Sequence, residues 1–172
     1  MTAEVEASRT VTLVPWTDAD LAVLERANTP AMTLFLGGPE SADELAQRHA
    51  EYLAFAESGE GGMFRVEVGG DAVGYAGWWT EEHEGAPVCE IGCAVEPAWQ
   101  GRGVATEALG RVVDLALAAM GRPVVGYSDI GNAASSALCR RVGFELRGRG
   151  VFPSDDGDIE VDVWIIEPGG RG

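Results

Sequence analysis

Apolar and polar positions recur with different periods along the chain, and each change of period marks an element. Thr10 to Val14 is a short strand-like run. "TDADLAVLERAN" then reads as a helix, with Thr17 as N-cap and Asp18 and Asp20 in the first turn, where the helix dipole favours negative charge. It ends near Asn28, before Pro30. A second helix opens on a capping box of Ser41 and Glu44 and keeps Ala42, Leu45, Ala46, His49, Leu53 and Ala56 on one face. From Gly62 the period becomes two, and "MFRVEV-GG-DAVGYAGWW" predicts a hairpin turning at Gly69 and Gly70, with Glu81, Glu82 and Glu84 in the loop beyond. "VCEIGCAV" is almost wholly apolar, as a central strand is.

The broadest apolar stripe follows, through Val104, Ala105, Ala108, Leu109, Val112, Val113, Ala116, Ala119 and Met120, with Thr106, Glu107, Gly110, Arg111 and Asp114 opposite. "PVVGYSD" reads as a strand and "NAASSALCRRV" as a helix opened by Asn132. "GFELRGRGVF" and "IEVDVWII" are strands joined by the turn "PSDDGD". The order αα, ββ, βαβα, ββ, with no long repeat, predicts one mixed α/β domain over residues 1–172, its core at about 10–166.

Composition narrows the classes. A chain of 172 residues with 46% hydrophobic content and mean hydropathy +0.01 suits one globular unit. Its first residues are acidic, and no apolar run approaches the roughly 18 residues of a membrane span. Cys89, Cys93 and Cys139 fit neither a disulfide framework nor a metal knuckle, so the expected setting is the cytoplasm. Twelve basic residues, all arginine, against 28 acidic ones set a net charge of −16, which argues against a nucleic-acid partner and accommodates cationic ones. That acidity serves solubility in any case.

The chemistry concentrates in "WQGRGVATEAL", Trp99 to Leu109. Gly101 and Gly103 let backbone approach a ligand closely, and the following helix start offers free N–H groups and a positive dipole end, with Arg102 and Thr106 as further donors. A lone Gly-x-Gly is a weak signal and is more often an ordinary strand-to-helix turn. It is not a P-loop, which ends in Gly-Lys-Ser/Thr, and Thr106 stands where the dinucleotide fingerprint needs a third glycine.

Here the chain resembles the GNAT superfamily of acetyl-CoA-dependent N-acetyltransferases. Gln100, Gly103 and Ala105 satisfy its Gln/Arg-x-x-Gly-x-Gly/Ala signature. "EIGCAVEPAWQGRGVATEAL" resembles its strand-loop-helix core, and Asn132, Ser135, Gly143 and Phe144 match its later Asn-x-x-Ser…Gly-Phe element. The resemblance is strongest to the branch that acetylates ribosomal-protein N-termini and small amines. It implies a mixed sheet of about seven strands with about four helices, splayed between the two central parallel strands. It also implies that Gln100, Gly101, Arg102, Gly103, Val104, Ala105 and Thr106 hold the coenzyme A pyrophosphate. Cys93 to Val95 would pair with the pantetheine arm, which Asn132 would bind while also capping its helix.

Acetyl transfer to a primary amine, by direct attack in a ternary complex, needs a base, an oxyanion donor and an acid for the thiolate. Glu90 is the base expected, since a carboxylate on an apolar strand has a raised pKa if desolvated, with Asp129 or a water as the alternative. A structural Glu90 on the far side of the sheet fits the pattern equally. A backbone N–H near Ala94 is the expected oxyanion donor. The family's frequent tyrosine acid is replaced by Cys139, seven residues after Asn132, which reads as helix packing; Ser135 or water takes the acid role. His49 reads as a satisfied core residue and His83 as a turn residue, so no metal is expected. Of the adjacent Trp78 and Trp79, one is expected in the core and one beside the acceptor.

Two alternatives stay open: a non-catalytic acyl-CoA-binding module, and a plain nucleotide-binding domain, which the missing fingerprints disfavour. The acidic loops Glu81 to Glu84 and Asp155 to Asp158 would frame a cationic acceptor, a small-molecule amine or a protein N-terminus. The last two strands would suit a homodimer.

Overall fold

The computed structural model describes residues 10–153 and 157–170. In chain order come β1 (Val11–Pro15), a 3-10 turn (Asp18–Asp20), α1 (Leu21–Ala27), α2 (Ala42–Ser58), β2 (Gly61–Val68), β3 (Asp71–His83) and β4 (Ala86–Val95). A second 3-10 turn (Pro97–Trp99) precedes α3 (Val104–Met120), β5 (Val124–Asp129), α4 (Ala133–Val142), β6 (Glu145–Phe152) and β7 (Ile159–Ile166). The seven strands form one sheet in the order β1-β2-β3-β4-β5-β7-β6, antiparallel except for the β4–β5 pair. That is the GNAT-like fold the resemblance implies.

Helices cover both faces. On one, Val104, Ala108, Leu109, Val112, Val113 and Ala116 of α3 and Cys139 and Val142 of α4 pack on Val66, Ala76, Trp78, Cys89 and Val95. On the other, Val23 and Leu24 of α1 and Leu45 and Tyr52 of α2 pack on Trp16 and Met63. The second helix buries a different stripe from the one its alanines suggested: Ala42, Ala46 and Ala56 are exposed, and Tyr52 is core. The capping box is realised, Ser41 N–H donating to Glu44 Oε2 at 2.7 Å and Glu44 N–H to Ser41 Oγ at 3.2 Å. Asp20 lies buried, held by Arg65 Nη1 at 2.6 Å and by Thr17 N–H at 2.8 Å, which pins the first turn to β2.

Two further expectations change. Glu81 and Glu82 are strand, not loop, because β3 runs on to His83 and reverses only at Glu84 and Gly85, both at positive φ. Gly110, expected on the polar side of α3, is buried. Asp155 and Asp156 lie outside the described residues.

A buried polar chain joins the parallel strand β5 to the start of α4. Trp164 Nε1–H donates to Ser128 Oγ at 2.9 Å, and Ser128 Oγ lies 3.2 Å from Ser136 Oγ. Ser128→Ala strips Trp164 of its acceptor in the core. The expected cost is about 1–3 kcal/mol, the penalty of a buried unsatisfied donor, read as a lower thermal unfolding midpoint. In Trp164→Phe, where no donor remains, adding Ser128→Ala should cost much less; equal costs in both backgrounds would disprove the role of this bond.

Candidate functional site

The site starts from one failure of pairing. β4 and β5 are partners only at Cys89↔Val124 and Glu90↔Val125; beyond these, Ile91–Val95 and Gly126–Asp129 have no partner in each other. The β3–β4 register continues without a shift from Ala86 to Val95, so the strand's alternation holds through the gap. Cys89 N–H donates across to Pro123 O at 2.9 Å, so the peptides of odd-numbered residues point toward β5. Cys93 and Val95 therefore present backbone groups to the gap. Ala94 does not: its peptide points the other way, and a Cβ on Gly74 of β3 would run into its carbonyl oxygen. The expectation that Ala94 itself offers an oxyanion donor is corrected; the gap-facing N–H beside it is that of Cys93.

At the C-terminal end of β4 the chain enters the glycine junction. Gln100 Nε2 donates back to Val95 O at 2.9 Å, and Gln100 N–H is spent on Pro97 O at 3.3 Å, so this residue braces the turn. Gly101 and Gly103 have φ of +71° and +81°, and a Cβ on either would meet nothing within 4 Å. Both therefore border open space. The first helical bond is Glu107 N–H to Gly103 O at 3.1 Å, which leaves the N–H groups of Val104, Ala105 and Thr106 without helical partners. Arg102 stacks on Trp99 at 5.2 Å, and Arg141 Nε reaches Thr106 Oγ1 at 3.4 Å. Positive charge thus flanks a helix start with free donors, which suits a phosphate-bearing ligand. Asn132 caps α4, its Oδ1 accepting from Ser135 N–H at 3.1 Å, and half-buried Ser135 sits in that first turn.

Glu90 lies on the face of the sheet opposite α3, because its neighbours Cys89 and Ile91 pack toward α3. Trp79, its cross-strand partner, shares that face and sits close enough to the Glu90 carboxyl to favour its charged form, whereas Trp78 is core. Burial lifts the Glu90 carboxyl most, Glu81 repels its charge further, and nearby Trp79 opposes both; the net is a pKa pushed up to about 7. A carboxyl so poised exchanges protons near neutral pH. Cys139, in contrast, is 6% exposed in the α3/α4 core, and burial pushes its thiol up to about 12. That is packing, as expected.

Asp129 Oδ1 accepts from Gly131 N–H at 2.7 Å and so closes the turn before α4. His49 Nδ1 accepts from Trp16 Nε1–H at 3.0 Å, a satisfied partner in the α2 core. His83 is not a free turn residue: its Nδ1 lies 2.9 Å from the Tyr127 hydroxyl. Tyr127 went unnoticed in the sequence, where only its place on β5 marked it. It stands on Glu90's face beside the gap, with Phe152 edge-on at 4.8 Å. Phe35, in the turn segment Leu34 to Leu36 before α2, approaches Gly131, so that a Cβ there would lie 3.5 Å from its ring. The depression lined by Glu40, Glu44, Gln47, Arg48 and Glu51 lies away on α2, and its side chains pair among themselves, Arg48 with Glu40 at 2.8 Å and Gln47 with Glu51 at 3.3 Å. Among the described residues, no group of three or more potential ligands could hold a metal ion, and no helix is long and apolar enough to cross a membrane.

Comparison with known proteins gives concordant results. Residues 10–145 match the family model described as an acetyltransferase (GNAT) domain. The chain is 30% identical over 112 residues to an L-methionine sulfoximine/L-methionine sulfone acetyltransferase of Pseudomonas paraeruginosa, covering 64% of this chain and 65% of that protein. In fold it is similar to the putative acetyltransferase yncA of Salmonella typhimurium, solved with its cofactor acetyl-CoA, at TM-score 0.75 and 24% identity over 91% of this chain and 93% of that one. It is also similar to a Salmonella typhimurium acetyltransferase that modifies the N-terminal serine of ribosomal protein L7/L12, at TM-score 0.76 and 18% identity over 94% and 96%.

Proposed function

The chain belongs to the GNAT family of acetyltransferases, which take their acetyl group from acetyl-CoA, and on that premise we propose that it acetylates a primary amine by direct attack within a ternary complex. The observation that carries this reading is the parting of β4 and β5 just beyond Glu90, with the glycine-opened start of α3 at the end of the same strand. One opening thus joins a base, backbone donors and an anion site.

The free N–H groups of Val104, Ala105 and Thr106 hold the pyrophosphate, and the open space beside Gly101 and Gly103 is what lets it approach. Backbone groups of Cys93 and Val95 pair with the pantetheine arm, and Asn132 binds it from the other side of the gap. Glu90 takes a proton from the incoming ammonium, which frees the nitrogen lone pair. The amine then attacks the acetyl carbon, while Cys93 N–H donates to the carbonyl oxygen as its charge develops. The C–S bond breaks as the nitrogen sheds its second proton; Ser135 Oγ–H or a water protonates the leaving sulfur and is itself restored by that proton. That thiolate, with a pKa not far above a cysteine's ~8.5, needs little help.

Glu81 and Glu84 lie close enough to Tyr127 to raise its pKa, so the acceptor face is negatively charged. The acceptor is accordingly a cationic amine, small or at a protein N-terminus. Thiol release should be assayed with acetyl-CoA against spermidine, L-methionine sulfone and a peptide with N-terminal serine. Turnover should favour the acceptor with least negative charge, and its KM should rise several-fold between 50 and 300 mM salt. Binding of acetyl-CoA without turnover of any amine would overturn the proposal in favour of a binding module.

A further inference from the structure

The hydrogen bond between His83 and Tyr127 joins residues 44 apart, from the tip of the β3–β4 hairpin to the gap-side end of β5. Tyr127 is the first residue of β5 beyond the last paired position, Val125, whose side chain lies on Glu90's face. Its ring is held from two sides, by His83 at 2.9 Å from the hydroxyl and by the Phe152 ring at an interplanar angle of 86°. A half-buried phenol fixed in this way has a defined direction for its oxygen.

We propose that Tyr127 is a positioning residue for the attacking amine, its hydroxyl oxygen accepting a second N–H of the ammonium that Glu90 deprotonates, and that His83 sets the direction of that hydroxyl. This rests on the N-acetyltransferase reading above. A neutral His83 with its proton on Nε2 presents Nδ1 as an acceptor, so the phenol donates to it and keeps its oxygen lone pairs for the substrate. The phenol keeps its proton at working pH, since burial and the charges of Glu90, Glu81 and Glu84 push its pKa up to about 12. An ammonium has three N–H donors. Glu90 takes one and Tyr127 a second, and the nitrogen is thereby aimed at the gap where the acetyl group enters. Acceptors with a bulky group next to the nitrogen lose the second bond.

The test compares wild type with Tyr127→Phe, His83→Leu and His83→Gln, using whichever of spermidine, L-methionine sulfone and the N-terminal serine peptide is turned over fastest. Tyr127→Phe should raise the acceptor KM about 10-fold or more, as expected for loss of a hydrogen bond to a charged group, while calorimetric affinity for acetyl-CoA stays within twofold. His83→Leu should raise it several-fold. His83→Gln, whose amide oxygen can still accept from the phenol, should recover most of that loss. An unchanged acceptor KM in Tyr127→Phe, or equal defects in the two His83 variants, overturns the inference. If Tyr127→Phe does not fold, the contrast between the two His83 variants decides alone. When wild type turns over an amine and Glu90→Gln does not, a normal Tyr127→Phe refutes this inference only; if wild type acetylates none of the three, the functional reading falls and this one with it.

Discussion

Gly103→Glu should abolish acetyl-CoA binding, weakening it on the order of 100-fold or more. Gly103 is the N-cap of α3, at φ +81°, and a Cβ there would meet nothing within 4 Å. A side chain at this position thus costs about 1–2 kcal/mol of backbone strain without a clash, so the fold survives. The new carboxylate, however, occupies the open space at the helix start and takes up the dipole and free N–H groups a pyrophosphate needs. A unit charge within about 4 Å of a phosphate at an effective dielectric near 20 opposes binding by up to about 4 kcal/mol. Gly103→Ala separates the contributions: it carries the strain without the charge and should lose about tenfold or less. Calorimetric titration of both variants with acetyl-CoA, beside thermal unfolding, settles the matter. Wild-type affinity in Gly103→Glu would mean that the glycines only make a turn.

Glu90→Gln should cut kcat by a factor of about 10² to 10⁴ while making the protein more stable above neutral pH. The activity loss follows from removing the base. The stability gain follows from the carboxyl's environment: its pKa is about 7 in the folded protein against an ordinary 4.5. The folded state therefore holds that proton more tightly than the unfolded chain does. Stability from this group is fully present below pH 4.5, falls as pH rises, and is lost once pH passes about 7. Glutamine, always neutral, avoids that loss. At pH 8 the variant should be more stable by about 1–2 kcal/mol, a value reduced from the full shift because the group is partly exposed. The wild-type rate should also rise with pH through about 7, a limb absent from the variant. If Glu90→Gln keeps wild-type kcat, or unfolds at a lower temperature at pH 8, Glu90 is neither the base nor the desolvated carboxyl described.

Gly103 and Glu90 differ in how much of their setting was visible in the sequence. The glycine junction was fully legible. Positive φ at Gly101 and Gly103, the helix start at Val104 and the order of strands around it depend on local residue type and on periodicity. The capping box of Ser41 and Glu44, three residues apart, was legible for the same reason. Partial legibility marks Glu90: the apolar strand was clear, yet its face was ambiguous until the core against α3 claimed Cys89 and Ile91. For the backbone donor expected near Ala94, the strand was legible but not which peptide faces the gap, since peptide direction depends on which neighbour a strand pairs with.

From the sequence alone came the elements, their order, the glycine-opened helix start and the family, because each is written in residues close together in the chain. Only the tertiary structure decided that β4 and β5 part just beyond Glu90, that the Cys93 peptide faces the gap, and that Tyr127 meets His83 and Ser128 meets Trp164. Those pairs are separated by 44 and 36 residues and come together through strand register, a property of two segments jointly that neither one's periodicity encodes.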